Sequence, residues 1–209
     1  MPCQNIFKSA EEQENMRLFI VRHGETTENL NHVTQGQLNT KLTAKGIEQA
    51  KKVALRLQKE HIEYCYSSDL GRCVRTAEEI LKFHAKVKLV KAAELREQAK
   101  CIYEGKPKTV RKKDSAGQEW WQFHPKGGES MEEVWHRVIW FYEEIRERHS
   151  NSAVLIVTHG GAISCLLAKL HGGSLQDTGK YKGGSNASLS IANISEKGCA
   201  FEAVKCAAH

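Results

Sequence analysis

The sequence predicts an α/β fold, a three-layer α/β/α sandwich on a mostly parallel sheet with helices on both faces. Three observations carry this reading. Short apolar runs, too brief for helices, alternate with longer stretches whose apolar residues recur at helical spacing. The run Ala153–Val157 (AVLIV) is continuously apolar and β-branched, the pattern of a strand buried on both faces. Ser130 and Glu133 form an S-x-x-E capping box directly ahead of a long apolar stripe.

The elements follow in order. Arg17–Val21 (RLFIV) is the first strand. Thr43 caps a helix reaching about Lys59, with Ile47, Ala50, Ala54 and Leu57 on one face. Ile62–Tyr66 is the second strand, and Ser67-Ser68-Asp69 turns the chain into a helix over Leu70–Phe83. A third strand lies at Val87–Val90. Val134, Val138, Phe141 and Ile145 mark a helix to about His149. After AVLIV, Gly160-Gly161 leads into a helix ending near Gly172, and Leu189–Ile194 with Phe201–Val204 forms a terminal hairpin. The segment 100–128 is long, basic and rich in Trp and Gly, so it reads as an insertion over the sheet edge and the cleft. Residues 1–16 read as a polar extension and 17–209 as one domain, which the chain length permits.

Composition narrows the function classes. A hydrophobic fraction of 40% and a charged fraction of 27% are those of a soluble globular protein. No apolar run reaches the ~20 residues that cross a bilayer, and Met1–Met16 has no apolar core or cleavage pattern. The seven cysteines contain no C-x-x-C pair, which argues against a disulfide framework or structural zinc and for reduced thiols in the cytoplasm. A formal charge of +6 suits an anionic partner. The one dense basic stretch, Lys106–Lys113, lies in no nucleic-acid motif, so neither nucleic acid nor membrane is an expected partner. His32, His61, His84, His124, His136 and His149 share no metal-ligand spacing, so no metal is expected. A homo-oligomer stays open.

In open α/β sheets ligands bind beyond the carboxyl ends of the strands. The first strand runs into Arg22-His23-Gly24-Glu25, the second into a helix start with Arg72 and Arg75, and the AVLIV strand into Thr158-His159-Gly160-Gly161. Leu95-Arg96-Glu97 follows the third. Guanidinium forks match phosphate oxygens. A glycine after each histidine lets the backbone approach an anion. An imidazole held through one nitrogen can attack phosphorus with the other, and a nearby carboxyl group can protonate the leaving oxygen and then activate water. A lone histidine after a strand is ordinarily only a satisfied polar residue; two histidines, the arginines and a carboxylate at successive strand ends are harder to explain by packing.

Arg22-His23-Gly24-Glu25-Thr26 with Asn29, Gln35-Gly36, Leu42-Thr43 and Gly46 resembles the opening motif of the histidine phosphatase superfamily, in its phosphoglycerate mutase-like branch. Ser67-Ser68-Asp69-Leu70-x-Arg72 with Thr76-Ala77-Glu78 resembles its second motif. Leu95-Arg96-Glu97 to Glu104-Gly105 resembles the third, Gly127-Gly128-Glu129-Ser130 the fourth and Thr158-His159-Gly160-Gly161 the last. The resemblance implies that His23 is the nucleophile, that His159 donates to the transferring phosphoryl group, and that Arg22 and Arg72 clamp its oxygens. Asn29 and the Gly160 N–H would be lesser donors, Gln35 and Gly36 further binding residues, and Glu97 the general acid and then base. No cofactor is implied. Arg75 reads as a surface ion pair, Glu25 and Glu104 as structural or as supports behind the pocket residues, and Glu129 as either a helix cap or a pocket residue.

Cys101, Tyr103 and Asn39 stand where such sequences usually have Gly, Trp and Asp, so the loop after Glu97 is expected to differ in shape. The chain also resembles the shorter phosphatase members, lacking the segment that mutases insert between the third and fourth motifs. The expectation is therefore a metal-independent phosphomonoester hydrolase acting on a small phosphorylated metabolite. A mutase-type phosphotransferase and a non-catalytic phosphate-binding module are the alternatives. Lys106, Lys108, Arg111, Lys112 and Lys113 could recognise a second anionic group or simply be solvated.

Overall fold

A computed structural model describes residues 15–207, leaving out the side chain of Lys112; most of the N-terminal extension lies outside this range. The sheet has six strands: β1 (Met16–Arg22), β2 (Tyr64–Ser68), β3 (Leu89–Ala92), β4 (Ala153–Thr158), β5 (Leu189–Ser195) and β6 (Gly198–Cys206). Their order is β3-β2-β4-β1-β5-β6. The first four run parallel; β5 is antiparallel to β1, and β6 to β5. The helices are α1 (Thr27–Leu30), α2 (Ala44–Leu57), α3 (Gly71–Leu81), α4 (Lys108–Asp114), α5 (Met131–Arg148) and α6 (Gly160–Leu170).

Alternation along β1 divides the core in two. Leu18 and Ile20 pack with Val134, Val138 and Phe141 of α5 and Ile163 and Leu166 of α6. Phe19 and Val21 face the other way, against Val53 and Leu57 of α2 and Cys73 and Ile80 of α3. A period of two on each strand thus places one helix pair on each face, the predicted sandwich. The AVLIV strand, β4, is buried at every position because it lies between β1 and β2 with both faces covered.

Two strands are displaced from their expected places. β2 begins at Tyr64, since Ile62 is buried ahead of the ladder, and it continues through Ser67 and Ser68, which pair with β3. β3 begins at Leu89, because the Val87 N–H closes a turn on the His84 carbonyl at 2.9 Å. The capping box is present: Ser130 Oγ accepts the Glu133 N–H at 3.2 Å, and Glu133 accepts the Ser130 N–H at 2.7 Å. The terminal hairpin forms as β5 and β6, longer than its apolar patches suggested. Segment 100–128 adds no strand to either sheet edge. It carries a short 3-10 turn at Cys101–Tyr103 and α4, and Lys108, Arg111 and Trp120 turn towards the cleft at the strand ends. It covers the cleft and does not extend the sheet edge, a correction to half of the expectation.

No helix among the described residues is long and apolar enough to cross a membrane, and no group of three His, Cys, Asp or Glu among them could hold a metal ion.

Candidate active site

Arg22 ends β1 and pairs in register with Thr158, which ends β4. The next residue of each strand is a histidine, so the parallel register alone sets His23 beside His159. Their ring centroids are 5.1 Å apart and both residues are buried. The His23 N–H meets the Thr158 carbonyl at 3.0 Å, carrying the pairing one residue past the sheet.

His23 Nδ1 lies 2.8 Å from the Gly24 carbonyl. A carbonyl only accepts, so the proton is on Nδ1 and Nε2 keeps its lone pair. Burial first, then the charges of His159, Arg72 and Arg22, hold the imidazole pKa well below its ordinary value. It is a neutral base at pH 7. Gly24 allows the close approach: a Cβ there would meet the Gly46 carbonyl oxygen at 2.3 Å.

His23 lies in a cavity of about 120 Å³ with Arg22, Asn29, Thr34, Gln35, Gly36, Arg72 and Glu97. Arg22 Nη1 donates to the Gly184 carbonyl, whereas its buried Nε has no partner among the described residues. A buried donor without an acceptor is costly, and its residue lines the cavity. Asn29 Oδ1 accepts from the Thr26 N–H at 3.3 Å and from Asn186 Nδ2 at 3.1 Å, which leaves the Asn29 amide hydrogens as its donors. Gln35 Oε1 accepts from the Thr40 hydroxyl at 2.6 Å. Gly36 adopts φ +51°, and a Cβ would run into the Glu104 carboxylate, so this turn requires glycine.

Arg72 is more committed than the sequence implied. Its Nε donates to His159 Nδ1 at 3.2 Å, Nη1 to the Leu38 carbonyl at 2.7 Å and Nη2 to the Gly36 carbonyl at 2.8 Å. It pins the loop 36–40 over the cavity. With its Nδ1 accepting from Arg72, His159 presents its Nε2 proton to Ser68 Oγ, 2.8 Å away. Both nitrogens are therefore engaged, and His159 is not among the residues lining the cavity. Burial and the two arginines hold its pKa well below the ordinary value too.

Glu97 accepts from the Gln98 N–H at 2.9 Å and from the Gly161 N–H, in the first turn of α6, at 3.2 Å. Burial pushes its pKa up, but Lys100, these two N–H groups and Arg72 outweigh burial and the net shift is downward. Glu97 is a carboxylate at pH 7. Gly160 opens α6 against the Arg22 guanidinium, whose Cζ lies 3.7 Å from where a Cβ would stand. Beyond Glu97 the cleft widens into a second lobe of about 440 Å³, with Trp120, Met131, Gly160, Ser164, Thr178 and Lys182 in its wall. Glu97, Lys100 and Arg111 border both lobes.

The remaining acids divide as follows. Glu25 pairs with Lys45 at 3.0 Å, and Glu104 accepts the Gln37 and Lys100 N–H groups at 2.9 Å each. Arg75 pairs with Glu78 and Glu79 on the face of α3. Glu129 neither caps α5 nor lines the cavity. It binds Arg137 Nε at 2.8 Å and the Ala99 N–H at 2.8 Å. Asn39 accepts the Gly71 N–H at 2.7 Å, holding the start of α3, and the Tyr103 hydroxyl donates to Asp114 at 2.9 Å. Cys101 sits at φ +38°, a conformation in which a glycine would be unstrained.

Three contributors escaped the sequence reading. Asn186 donates to the His23 and Gly24 carbonyls at 3.1 and 3.2 Å and fixes the turn after β1. Arg137, from α5, donates to the carbonyls of Glu94, Arg96 and Glu97, so it sets the path of the loop that carries Glu97. Lys100, half-buried beside Glu97, has its pKa pushed down to about 8 by desolvation, with Arg111 adding to the effect and Glu97 opposing it. Arg137 sits among apolar residues of an amphipathic helix and Asn186 in a Gly-Ser turn, so neither carried a sequence signal. The Lys100 signal was only its distance of three residues from Glu97.

The histidine phosphatase superfamily (branch 1) family pattern matches residues 18–207. The chain belongs to the histidine phosphatase superfamily. It is 32% identical over 188 residues to phosphoserine phosphatase 1 of Hydrogenobacter thermophilus, covering 87% of this chain and 88% of that one. It is 36% identical over 168 residues to a probable phosphoglycerate mutase, GpmB, of Escherichia coli, covering 75% of each chain. Among solved structures, a putative alpha-ribazole-5'-P phosphatase from Escherichia coli superposes with a TM-score of 0.84 at 26% identity, covering 92% of this chain and 97% of that one. These relatives make the chain a member of a family of phosphatases and mutases, whose common ground is phosphoryl transfer.

Proposed function

We propose that the chain is a metal-independent phosphomonoester hydrolase that passes its phosphoryl group through Nε2 of His23. One observation carries this reading: a neutral, buried imidazole with a free Nε2 lines a small cavity together with Arg22, whose guanidinium keeps donors that no described residue takes up. The donor supplies what a phosphate oxygen accepts, and the imidazole supplies the electron pair.

In the first step the His23 Nε2 lone pair forms the N–P bond as the P–O bond to the alcohol breaks. The alcohol oxygen takes a proton from Glu97. Glu97 borders both lobes, so its carboxyl stands between the phosphate and the group that leaves, the place of the bridging oxygen. Without phosphate beside it Glu97 is ionised; the charge of an incoming phosphate raises its proton affinity, and it takes this proton from solvent or from the monoanionic ester before the ester bond breaks. In the second step the Glu97 carboxylate takes a proton from water, the oxygen attacks phosphorus, the N–P bond breaks and inorganic phosphate leaves. Arg22 and Asn29 stabilise charge on the phosphoryl oxygens. Arg72 joins them when its Nε turns from His159 to phosphate, and that move frees His159 Nδ1 to take up a proton and donate it to a phosphoryl oxygen.

The wide second lobe admits the water that hydrolysis requires, and Trp120 in its wall is 40% exposed. The identity to a probable mutase makes transfer to a second hydroxyl the competing reading. Incubation with 3-phosphoglycerate in EDTA separates them: hydrolysis releases free phosphate, whereas a mutase accumulates 2-phosphoglycerate. An absence of turnover on a panel of phosphorylated metabolites and on p-nitrophenyl phosphate would reduce the chain to a binding module. Localisation in the cytoplasm and action on a small phosphorylated metabolite, without nucleic acid or membrane, belong to the same proposal.

A further inference from the structure

The charges of the cleft exceed what one phosphate requires. Among the described residues, Arg22, Arg72, Lys100, Lys108, Arg111 and Lys182 line its two lobes, against the one carboxylate Glu97. A phosphomonoester dianion is balanced by Arg22 and Arg72, the two cations placed deepest in the strand-end pocket. The rest lie further out. Lys100 and Arg111 stand where the lobes join, Lys108 borders the small lobe and Lys182 the wide one. Lys108, Arg111 and Lys182 form no side-chain ion pair or hydrogen bond among the described residues, unlike Arg137, whose guanidinium is taken up by Glu129 and three backbone carbonyls. They come from two separate segments, α4 and the loop before β5, which converge over one opening. Arg111 and Lys100 are close enough for each to act on the other's charge. Like charges brought together in a partly desolvated cleft are unfavourable unless an anion joins them.

The far wall of the wide lobe is apolar and aromatic. Trp120 packs on Gly179, where a Cβ would stand 3.3 Å from the indole, and Met131 also lines the lobe. The lobe's volume of about 440 Å³ is several times that of the phosphate pocket, enough for a small organic skeleton.

From this we infer that the substrate carries a second anionic group, a carboxylate or another phosphate, on the alcohol side of the scissile ester, and that Arg111, Lys182 and Lys100 bind it while its carbon skeleton lies against Trp120. This rests on the proposed reading of His23 and names the substrate class for that site. The other members of the basic stretch, Lys106 and Lys113, do not line the cleft, and the Lys112 side chain lies outside the described residues.

Matched ligand pairs test the inference without turnover. On the His23→Ala variant, which cannot form phosphohistidine, calorimetry compares glycerol 3-phosphate with 3-phosphoglycerate, and fructose 6-phosphate with fructose 1,6-bisphosphate. The first pair adds a carboxylate to the same skeleton and the second a phosphate, so the two pairs tell the anions apart. Tighter binding of at least one doubly anionic partner, by roughly tenfold, is expected. In H23A carrying Arg111→Ala and Lys182→Ala together, that ratio falls towards one, and Trp120→Ala weakens both members of the pair about equally. Equal binding within both pairs, or a ratio that survives the double substitution, overturns the inference. In the otherwise wild-type enzyme, the kcat/KM ratios of the same pairs should follow the binding ratios. Turnover of p-nitrophenyl phosphate with no preference within either pair would overturn the inference while leaving the hydrolase reading intact. A binding preference in a protein that turns over nothing would do the reverse.

Discussion

The floor and the roof of the cleft are built on opposite principles. The floor consists of residues that directly follow parallel strands. His23 and His159 are placed by sheet register, buried, and held by backbone carbonyls and by Ser68. The roof, segment 100–128, contributes no strand to the sheet and presents exposed or half-buried cations without ionic partners among the described residues. Preorganisation of the floor suits chemistry that is the same for every phosphate ester, because dipoles fixed in advance need not reorganise during reaction. The looser, charged roof suits recognition of whatever the phosphate is attached to, since loops can change without disturbing the scaffold. Substitutions should therefore divide into those that stop the reaction and those that change its choice of substrate.

The largest effect falls on the nucleophile. His23→Ala should lower kcat by roughly 10⁴-fold or more with little change in thermal stability, as for other residues that form the covalent bond. Next come the phosphate donors. Arg22→Ala should cost ~10²–10³ in kcat/KM, and steady-state assays with p-nitrophenyl phosphate read it. Arg72→Ala should match that loss and also lower the melting temperature, because the carbonyls of Gly36 and Leu38 lose their donor. If Arg72→Ala altered stability alone, its place would be with the scaffold. Glu97→Gln should cost about 10²–10⁴ in kcat for substrates with poor leaving groups. The loss should be smaller for p-nitrophenyl phosphate, whose alcohol leaves without a proton.

Arg137 lies on the border between the two regions. Arg137→Met removes the donor to three carbonyls of the Glu97 loop and leaves Glu129 without its partner. A stability loss of ~2–3 kcal/mol in urea unfolding is expected. A fall in kcat with KM nearly unchanged should accompany it, because Glu97 is displaced without touching the phosphate donors. The smallest effect belongs to Arg75→Ala, a surface pair on α3 that should alter kcat/KM less than twofold.

pH separates the regions in another way. His23 and His159 are both held below their ordinary pKa by burial. Below about pH 6.5 the unfolded chain binds protons that the folded one refuses, so these two groups contribute stability above that pH and lose it as the pH falls. The melting temperature should drop steeply between about pH 7 and 5. Inorganic phosphate should recover part of the loss, since an anion between Arg22 and Arg72 favours the protonated imidazoles. The cations of the roof predict no comparable feature in that window.

How much of this could be read from the chain follows the same division. Strand ends are legible because an apolar run that stops at Arg-His-Gly or Thr-His-Gly announces both the buried ladder and the groups that leave it. The α5 capping box and the two-sided burial of AVLIV were equally plain. Boundaries failed where a side chain was buried without its backbone joining the ladder, as at Ile62, or where a turn consumed an N–H, as at Val87. The commitments of Arg72 and His159 to each other could not be seen either, since the distance between positions 72 and 159 is a property of packing. Glu129 shows the same limit. Its motif position suggested a pocket or a cap, and only the approach of α5 reveals Arg137 as its partner.

The account rests on phosphorus becoming bonded to His23. Rapid quench of the enzyme with a ³²P-labelled substrate, followed by alkaline digestion and peptide mapping, tests that directly. An acid-labile, alkali-stable label on the peptide containing His23, absent in His23→Ala and formed equally well in EDTA, is the predicted result. Turnover without any such label, or a label that maps to another residue, would contradict it.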